Sequence, residues 1–162
     1  MSNRVVNGVV ALGCIILLAI AFYIEYGMGM EPCPLCLMQR IVFGVVGLVC
    51  LAAFIHNPQS RGLKVYGGLT LLVALMGIGL AGRQLWLQSL PADQVPACGP
   101  GIYFMLERFP FSKTLETMIM GSGDCAEVQK FWGLSIPLWS LFGFIGCALA
   151  GIFGIFRTQS SK

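Results

Sequence analysis

The sequence predicts an all-α membrane protein, built as an antiparallel bundle of four transmembrane helices. Of its 162 residues, 57% are hydrophobic and only 10% are charged, against roughly 45–50% and about 25% in a soluble globular domain. The mean hydropathy of +0.82 agrees with this composition. The long apolar runs lack the period-two alternation of a strand. These observations exclude a soluble domain, a disordered chain and a nucleic-acid binder that relies on a basic surface.

The long apolar runs predict spans at residues about 5–24, 37–56, 65–82 and 134–156 of a single membrane domain. A transmembrane helix needs about 20 apolar residues. The second run is uninterrupted only from Ile41, so we expect that span to begin a turn or two earlier. Outward loops are predicted at residues about 25–36 and 83–133, the second long enough to carry structure of its own. Glycines within the spans let helix backbones approach closely in lipid.

Basic residues orient the bundle. Segments 1–4, 57–64 and 157–162 contain five Lys or Arg residues and no acidic residue, whereas all seven acids lie elsewhere. The positive-inside rule therefore predicts that both termini are cytoplasmic. A signal peptide cleaved near residues 19–21 is a competing interpretation of the first span. The apolar run continues through Ile24, however, and the orientation of the other spans is the same in either case.

The seven cysteines divide by their position relative to the spans. Three fall inside spans, where a free thiol packs as a small apolar group: Cys14, Cys50 and Cys147. Four lie on the outward side: Cys33, Cys36, Cys98 and Cys125. In a bacterium that side is an oxidising compartment, in which disulfides persist. The four outward cysteines are therefore the candidates for chemistry.

Cys33 and Cys36 form a Cys-Pro-Leu-Cys motif just before the second span. A disulfide in so short a loop gains little from chain entropy, and such pairs are usually redox-active because their thiols can have depressed pKa values. Cys36 would lie near a helix N-terminus, whose partial positive charge favours a thiolate. Arg40 is predicted on the same helical face. A plain stabilising disulfide, or half of a metal site, is the alternative.

Cys98 and Cys125 share the second outward loop. If paired, they close a loop of about 28 residues, which would stabilise the fold by roughly 3–4 kcal/mol. A purely structural disulfide therefore remains an alternative for this pair. Apolar residues between the two cysteines have the spacing of one helical face and predict a short amphipathic helix on the membrane surface: Phe111, Leu115, Met118 and Ile119.

Over nearly its whole length the sequence resembles the DsbB family of membrane thiol oxidases. Four segments carry the resemblance: EPCPLCLMQR at 31–40, PACGPG at 96–101, GSGDCAE at 121–127 and LSIPLW at 134–139. The resemblance implies an enzyme of the bacterial inner membrane that regenerates a soluble thioredoxin-fold oxidase of the DsbA type. It also implies a bound quinone, ubiquinone or menaquinone, beside the first cysteine pair.

The resemblance also assigns roles to individual residues. Cys98 is the cysteine that the reduced partner attacks, and Cys125 is its mate, which passes electrons on to Cys33. Cys36 contacts the quinone, and Arg40 orients the quinone and stabilises its reduced form. We expect no bound metal and no nucleic-acid partner.

One feature departs from the family pattern. Some members have a histidine near the quinone, whereas the only histidine here, His56, is predicted at the cytoplasmic end of the second span.

Two other classes of protein remain as alternatives. The four outward cysteines could form an all-thiolate zinc site, although only one C-x-x-C pair is present. The chain could also be a structural four-span scaffold held by two disulfides.

Overall fold

The computed structural model describes residues 2–30, 32–91, 93–98, 104, 107–128, 130–131 and 133–157. Within them, four helices are long and apolar enough to cross a membrane. Helix α1 spans Asn3–Phe22 and continues as a π-helical turn over Tyr23–Gly27. The others are α2 (Pro34–His56), α3 (Ser60–Gln88) and α5 (Ile136–Phe156), with a shorter α4 over Phe111–Met120. The predicted class, an all-α protein with four membrane-spanning helices, is confirmed.

The third transmembrane helix is longer than the predicted span of residues 65–82. It begins at Ser60 and continues past Arg83 to Gln88. Arg83 does not end the helix because its guanidinium has partners there. Its Nε donates to the Met120 carbonyl at 3.3 Å, and the guanidinium stacks over the Trp86 ring, 4.7 Å from the ring centroid. The extra turn brings Gln84 into the interior of the bundle.

Helix α3 packs most extensively against α5, while α2 packs against both α1 and α3. In the core, the rings of Phe43 and Phe144 stack with their centroids 3.9 Å apart. Two glycines allow α3 and α5 to meet backbone to backbone, since a Cβ on Gly67 would lie 2.8 Å from the Gly151 carbonyl oxygen. Small residues serve this purpose in membrane bundles. Large apolar side chains on the opposite faces remain exposed, as contact with lipid requires.

Gly77 is the glycine whose replacement should disturb the core most clearly. A Cβ there would overlap with the buried Phe144 ring, which is itself stacked on Phe43. We expect Gly77→Ala to destabilise the protein by about 1–3 kcal/mol through overpacking. Gly79→Ala is the matched control, because nothing lies within 4 Å of its Cβ. Unfolding of the purified variants in detergent measures both, and equal stability of the two would contradict this packing.

The second outward loop folds back over the ends of α2 and α3. At its turn Gly121 has a φ of +78°, and a Cβ there would lie 2.8 Å from side-chain atoms of Leu35 and Leu87. Glycine therefore meets two requirements at this position, a left-handed backbone and close contact. A 3₁₀ turn over Gly123–Ala126 follows. The loop then reaches α5 through a short antiparallel hairpin of β1 (Lys130–Phe131) and β2 (Leu134–Ser135).

Candidate redox site

The first cysteine pair lies at the start of α2. Cys33 is the N-cap residue, and its sulfur accepts a hydrogen bond of 3.4 Å from the Cys36 backbone N–H. Pro34 begins the helix, a position that suits proline because the first N–H groups of a helix have no partner within it. The Cys33 thiol donates to the Cys36 sulfur at 3.0 Å. This capping geometry holds the two sulfurs together at the positive end of the α2 dipole.

Cys125 belongs to the same cluster, although it lies 89 positions beyond Cys36 in the sequence. Its side chain is fully buried and packs with Leu35, Leu87 and Cys33. A hydrogen bond from the Cys33 thiol, with backbone N–H donors at Leu35 and Ser122, lowers the pKa of Cys125 to about 6. The same bond, with a second one to Cys36, raises the pKa of Cys33. Cys33 therefore lies between two sulfurs and shares its proton with them.

Cys98 lies apart from these three sulfurs, at the exposed edge of the loop. Its segment crosses the 3₁₀ turn closely, because Gly123 N–H donates to the Ala97 carbonyl at 3.2 Å. A Cβ on Gly123 would lie 3.0 Å from the Cys98 nitrogen. The structure therefore brings Cys98 beside the turn that carries Cys125. It leaves the Cys98 thiol open to solvent while the Cys125 thiol faces Cys33.

Asp124 controls the ionisation of Cys98. The Cys98 thiol donates a hydrogen bond to the Asp124 carboxylate, and the negative charge disfavours a thiolate, so the pKa of Cys98 is raised. We expect Asp124→Asn to lower that pKa, so that a small alkylating reagent modifies Cys98 severalfold faster at neutral pH.

Glu116→Gln is the matched control for this substitution, since it removes one negative charge from an exposed position on α4. Mass spectrometry of the alkylated peptide measures the rate across a pH series. The profile of Asp124→Asn should move to lower pH and that of Glu116→Gln should stay in place. Profiles that coincide in all three proteins would show that Asp124 does not control this thiol.

An apolar cavity of about 410 Å³ adjoins the first cysteine pair between α1, α2 and α5. Its volume falls within the range of about 300–1,000 Å³ usual for small-molecule sites. Most of the lining is aliphatic or aromatic, and the chemically distinctive lining residues are Cys36, Gln39, Arg40 and Trp139. Cys36 therefore contacts Cys33 on one side and the cavity on the other.

Arg40 is held at the cavity wall by α1 and its π-helical turn. Its guanidinium forms an ion pair with Glu25 and donates to the Ala21 carbonyl at 3.1 Å. It also stacks over the Phe22 ring, 5.4 Å from the centroid. A π-helical turn is rare and is frequently found at functional sites; here it carries Glu25. Arg40 is the only cation among the cavity-lining residues in the described part of the chain, and these contacts fix its position.

Three polar residues of this site were not predicted from the sequence: Glu25, Gln39 and Gln84. Each lies in or beside an apolar span, and that position was the available signal. Gln39 and Gln84 are both 3% exposed, and the Gln39 Nε2 donates to the Gln84 Oε1 at 2.7 Å. His56, in contrast, lies at the far end of α2 beside the Tyr66 hydroxyl, at 3.1 Å.

Comparison with known proteins identifies relatives along the whole chain. A family model described as "Disulfide bond formation protein DsbB" matches residues 3–154. A disulfide bond formation protein B of Marinobacter nauticus is 52% identical, over 100% of this chain and 97% of that protein. A Hahella chejuensis protein of the same name is 55% identical, over 90% and 89%. An Acinetobacter baumannii protein of that name is 42% identical, over 97% and 93%.

Proposed function

Since the chain belongs to the DsbB family, and so is a disulfide-forming oxidoreductase of a membrane, we propose that it reoxidises a thioredoxin-fold partner of the DsbA type and delivers the electrons to a membrane quinone. One observation carries this proposal. The Cys36 sulfur lies 3.0 Å from that of Cys33, and Cys36 also lines the apolar cavity together with Arg40. A cysteine in that position connects thiol chemistry in the loop with an acceptor in the membrane.

The exposed Cys98 is the point of entry for electrons. A thiolate of the reduced partner attacks the Cys98 sulfur of a Cys98–Cys125 disulfide. A new bond forms between the partner and Cys98, and the electron pair of the broken bond leaves on Cys125. Thiols with a lower pKa leave faster, and the pKa of Cys125 is lowered to about 6 in its buried position. This asymmetry between the two cysteines favours attack at Cys98.

Cys125 then passes the electron pair inward. Its thiolate attacks the Cys33 sulfur of a Cys33–Cys36 disulfide, which forms a Cys33–Cys125 bond and releases the electron pair on Cys36. The contact between Cys125 and Cys33 supports this step. The second partner thiol then closes the partner's own disulfide and releases Cys98 as a thiolate. This thiolate attacks Cys125, which breaks the Cys33–Cys125 bond, re-forms the loop disulfide and leaves Cys33 and Cys36 as a dithiol to be reoxidised. Over the cycle the partner dithiol loses two electrons and two protons, and one quinone gains them.

The cavity fits a quinone headgroup by its chemistry. Its walls are apolar, as an isoprenoid quinone requires, and Arg40 supplies a fixed positive charge. A bound quinone supplies the two-electron acceptor. Arg40 would hold the quinone oxygen and stabilise the negative charge that develops there, an interaction that is strong in a low dielectric. Arginine keeps its charge in such surroundings.

The quinone must also provide the driving force. A DsbA-type donor is strongly oxidising, at about −120 mV, and 30 mV corresponds to about 1.4 kcal/mol for two electrons. A cysteine pair at an ordinary structural potential, below about −300 mV, would face an uphill step of about 8 kcal/mol or more. Coupling of Cys36 to a quinone in the adjoining cavity would draw the thiol steps forward.

The distribution of charge supports an orientation in the bacterial inner membrane. Basic residues without acidic neighbours lie near both termini and in the first turns of α3, and we therefore assign this end of the bundle to the cytoplasm. Both cysteine pairs then face the periplasm, where a soluble oxidase can reach Cys98.

A turnover assay tests the proposed function. Purified protein in detergent receives a reduced thioredoxin-fold dithiol partner and a water-soluble quinone analogue, and quinone absorbance is followed. We expect many quinones to be reduced per protein molecule. The proposal is wrong if the partner stays reduced both with a benzoquinone and with a naphthoquinone while all four outward cysteines remain disulfide-bonded. That result would favour a structural role for both disulfides.

A further inference from the structure

A buried amide faces the first cysteine pair from α3. Gln84 shares a face of α3 with Leu80, Ala81 and Leu87, which are three or four residues away along the helix and are apolar. Its side chain is 3% exposed. Burying an amide without hydrogen-bond partners costs several kcal/mol, so a buried glutamine is expected to have partners. The partners of Gln84 are the reacting sulfurs.

The two hydrogens of the Gln84 amide are directed at the cysteine pair. Its Nε2 lies 3.2 Å from the Cys36 sulfur and 3.4 Å from the Cys33 sulfur. The Gln84 Oε1 lies farther from the Cys36 sulfur, at 3.7 Å, and already accepts from the Gln39 Nε2 at 2.7 Å. Gln39 thus fixes the orientation of the Gln84 amide, with its oxygen turned to Gln39 and its two N–H donors turned to sulfur.

We propose that Gln84 is a further catalytic residue, whose amide stabilises the negative charge that appears on Cys36 when Cys125 attacks Cys33. The Cys33–Cys36 bond breaks in that step, the Cys33–Cys125 bond forms, and the electron pair moves to the Cys36 sulfur. An N–H donor already in place there stabilises the leaving thiolate without reorganisation. The inference rests on the proposed function for the direction of electron flow, but the hydrogen bonds to sulfur stand on geometry alone.

Gln84 also distinguishes the two sulfurs. Cys33 has two sulfur neighbours that can take its proton or form a bond with it, whereas Cys36 faces the amide and the cavity. An N–H donor directed at Cys36 therefore stabilises the thiolate on the sulfur next to the cavity after the Cys33–Cys36 bond breaks. The apolar alternative, a leucine at position 84, would leave the Cys36 thiolate with the backbone of the helix N-terminus as its main support.

The test measures the reactivity of Cys36 in the fully reduced full-length protein, with neither partner nor quinone present. A small neutral alkylating reagent is added over a pH series, and mass spectrometry quantifies the modified Cys36 peptide. A hydrogen bond to a charged group corresponds to about a ten- to hundredfold effect. We expect Gln84→Leu to slow the alkylation of Cys36 by about that factor at neutral pH, and to move the pH profile upward.

Gln84→Glu is the isosteric variant, and it replaces the donor with a carboxylate that repels a thiolate. It should slow alkylation at least as much as Gln84→Leu. Gln39→Leu leaves the Gln84 amide in place but frees its orientation, so it should give a smaller slowing, about two- to tenfold. Thr70→Val is the matched control. It removes another buried polar group from α3, one that lies 3.6 Å from Cys50, and it should leave the profile of Cys36 unchanged.

The outcomes separate this inference from the proposed function. If Gln84→Leu and Gln84→Glu fold and alkylate Cys36 at the wild-type rate and pH, Gln84 has no such role, even if wild-type protein reduces quinone. Faster alkylation of Cys36 in Gln84→Glu would overturn the inference as well, because an acceptor at position 84 would then activate the sulfur and no N–H donor would be needed. A slowed and shifted profile supports it, and does so even in a protein that fails the quinone assay. If neither Gln84 variant folds, the pH profile of Gln39→Leu tests the role of Gln84. Slowed alkylation of Cys36 in that variant supports the role, and a wild-type profile contradicts it.

Discussion

Replacing Cys36 with alanine is expected to abolish quinone reduction, with a loss of about a thousandfold or more in kcat. Loss of a nucleophile that acts as one unit with its neighbours removes nearly all catalysis. Cys36 is the cysteine that lines the cavity, and Cys33, Cys98 and Cys125 have no position in that wall. The assay follows quinone absorbance with a reduced thioredoxin-fold partner as donor. Cys147→Ala, in the core of the bundle, is the matched control and should retain turnover.

The same assay separates the two cysteine pairs when the donor is changed. Cys98→Ala should lose reaction with the protein partner, because the exposed entry point is gone. It should retain quinone reduction when dithiothreitol is the donor, since a small dithiol can reduce the Cys33–Cys36 disulfide directly. Cys36→Ala should fail with both donors. If Cys36→Ala still reduced quinone with either donor, electrons would reach the cavity by another route and the assignment of Cys36 would be wrong.

Replacing Arg40 with methionine is expected to have the second largest effect. The substitution keeps a long side chain and removes the positive charge from the cavity wall. Loss of one donor that stabilises a developing oxyanion costs about 10²–10³ in kcat, and we expect a loss of that size together with a raised KM for quinone. Arg40→Lys should recover only part of the activity, because an ammonium group cannot reproduce the planar contacts to Glu25 and the Ala21 carbonyl.

Arg4→Met is the matched control for Arg40→Met. It removes the same charge from the opposite end of the bundle, where the guanidinium stacks over the Phe54 ring at 5.0 Å. Steady-state kinetics over a range of quinone concentrations measures all three variants. Unchanged kcat and KM in Arg40→Met would mean that the guanidinium does not contact the quinone. An equal loss in Arg4→Met would attribute the effect to general damage to the bundle.

The helices were predictable because lipid imposes a simple rule on sequence. A span must be long and apolar, and the four segments that meet this condition are helices in the structure. The end of α3 was not predictable from the same rule. A charged residue usually ends an apolar run, but Arg83 finds the Met120 carbonyl and the Trp86 ring at that level. Met120 comes from the second loop and Trp86 from the next turn of α3, and a search for long apolar runs takes neither contact into account.

Glycine content indicated close helix packing without indicating where it occurs. Gly67 and Gly151 make the backbone contact between α3 and α5, whereas Gly79 and Gly82 face open space. Only the relative rotation of the two helices distinguishes these positions, and a single sequence does not contain that rotation. The glycines of the loop are different. Gly121 and Gly123 precede Cys125 closely, and their roles follow from a tight turn pressed against its neighbours.

The candidate site was predictable only where it depends on local spacing along one helix. The spacing of Cys36 and Arg40 predicts one helical face, and the structure has both residues in the same cavity wall. The contact of Cys125 with Cys33 depends on how a long loop folds back, which local spacing does not determine. Gln84 was missed because it was placed outside its span. A buried amide also resembles an ordinary polar residue until its partners are known.

The stoichiometry of electron transfer tests the central claim most directly. Under anaerobic conditions, one equivalent of purified oxidised protein is mixed with excess quinone analogue and a limiting amount of reduced thioredoxin-fold partner. Partner disulfide is counted by mass spectrometry and quinol by absorbance. The relay through Cys98, Cys125, Cys33 and Cys36 predicts one quinol for every partner disulfide formed. Oxidation of the partner without formation of quinol would contradict it, because the electrons would then have ended elsewhere than in the membrane cavity.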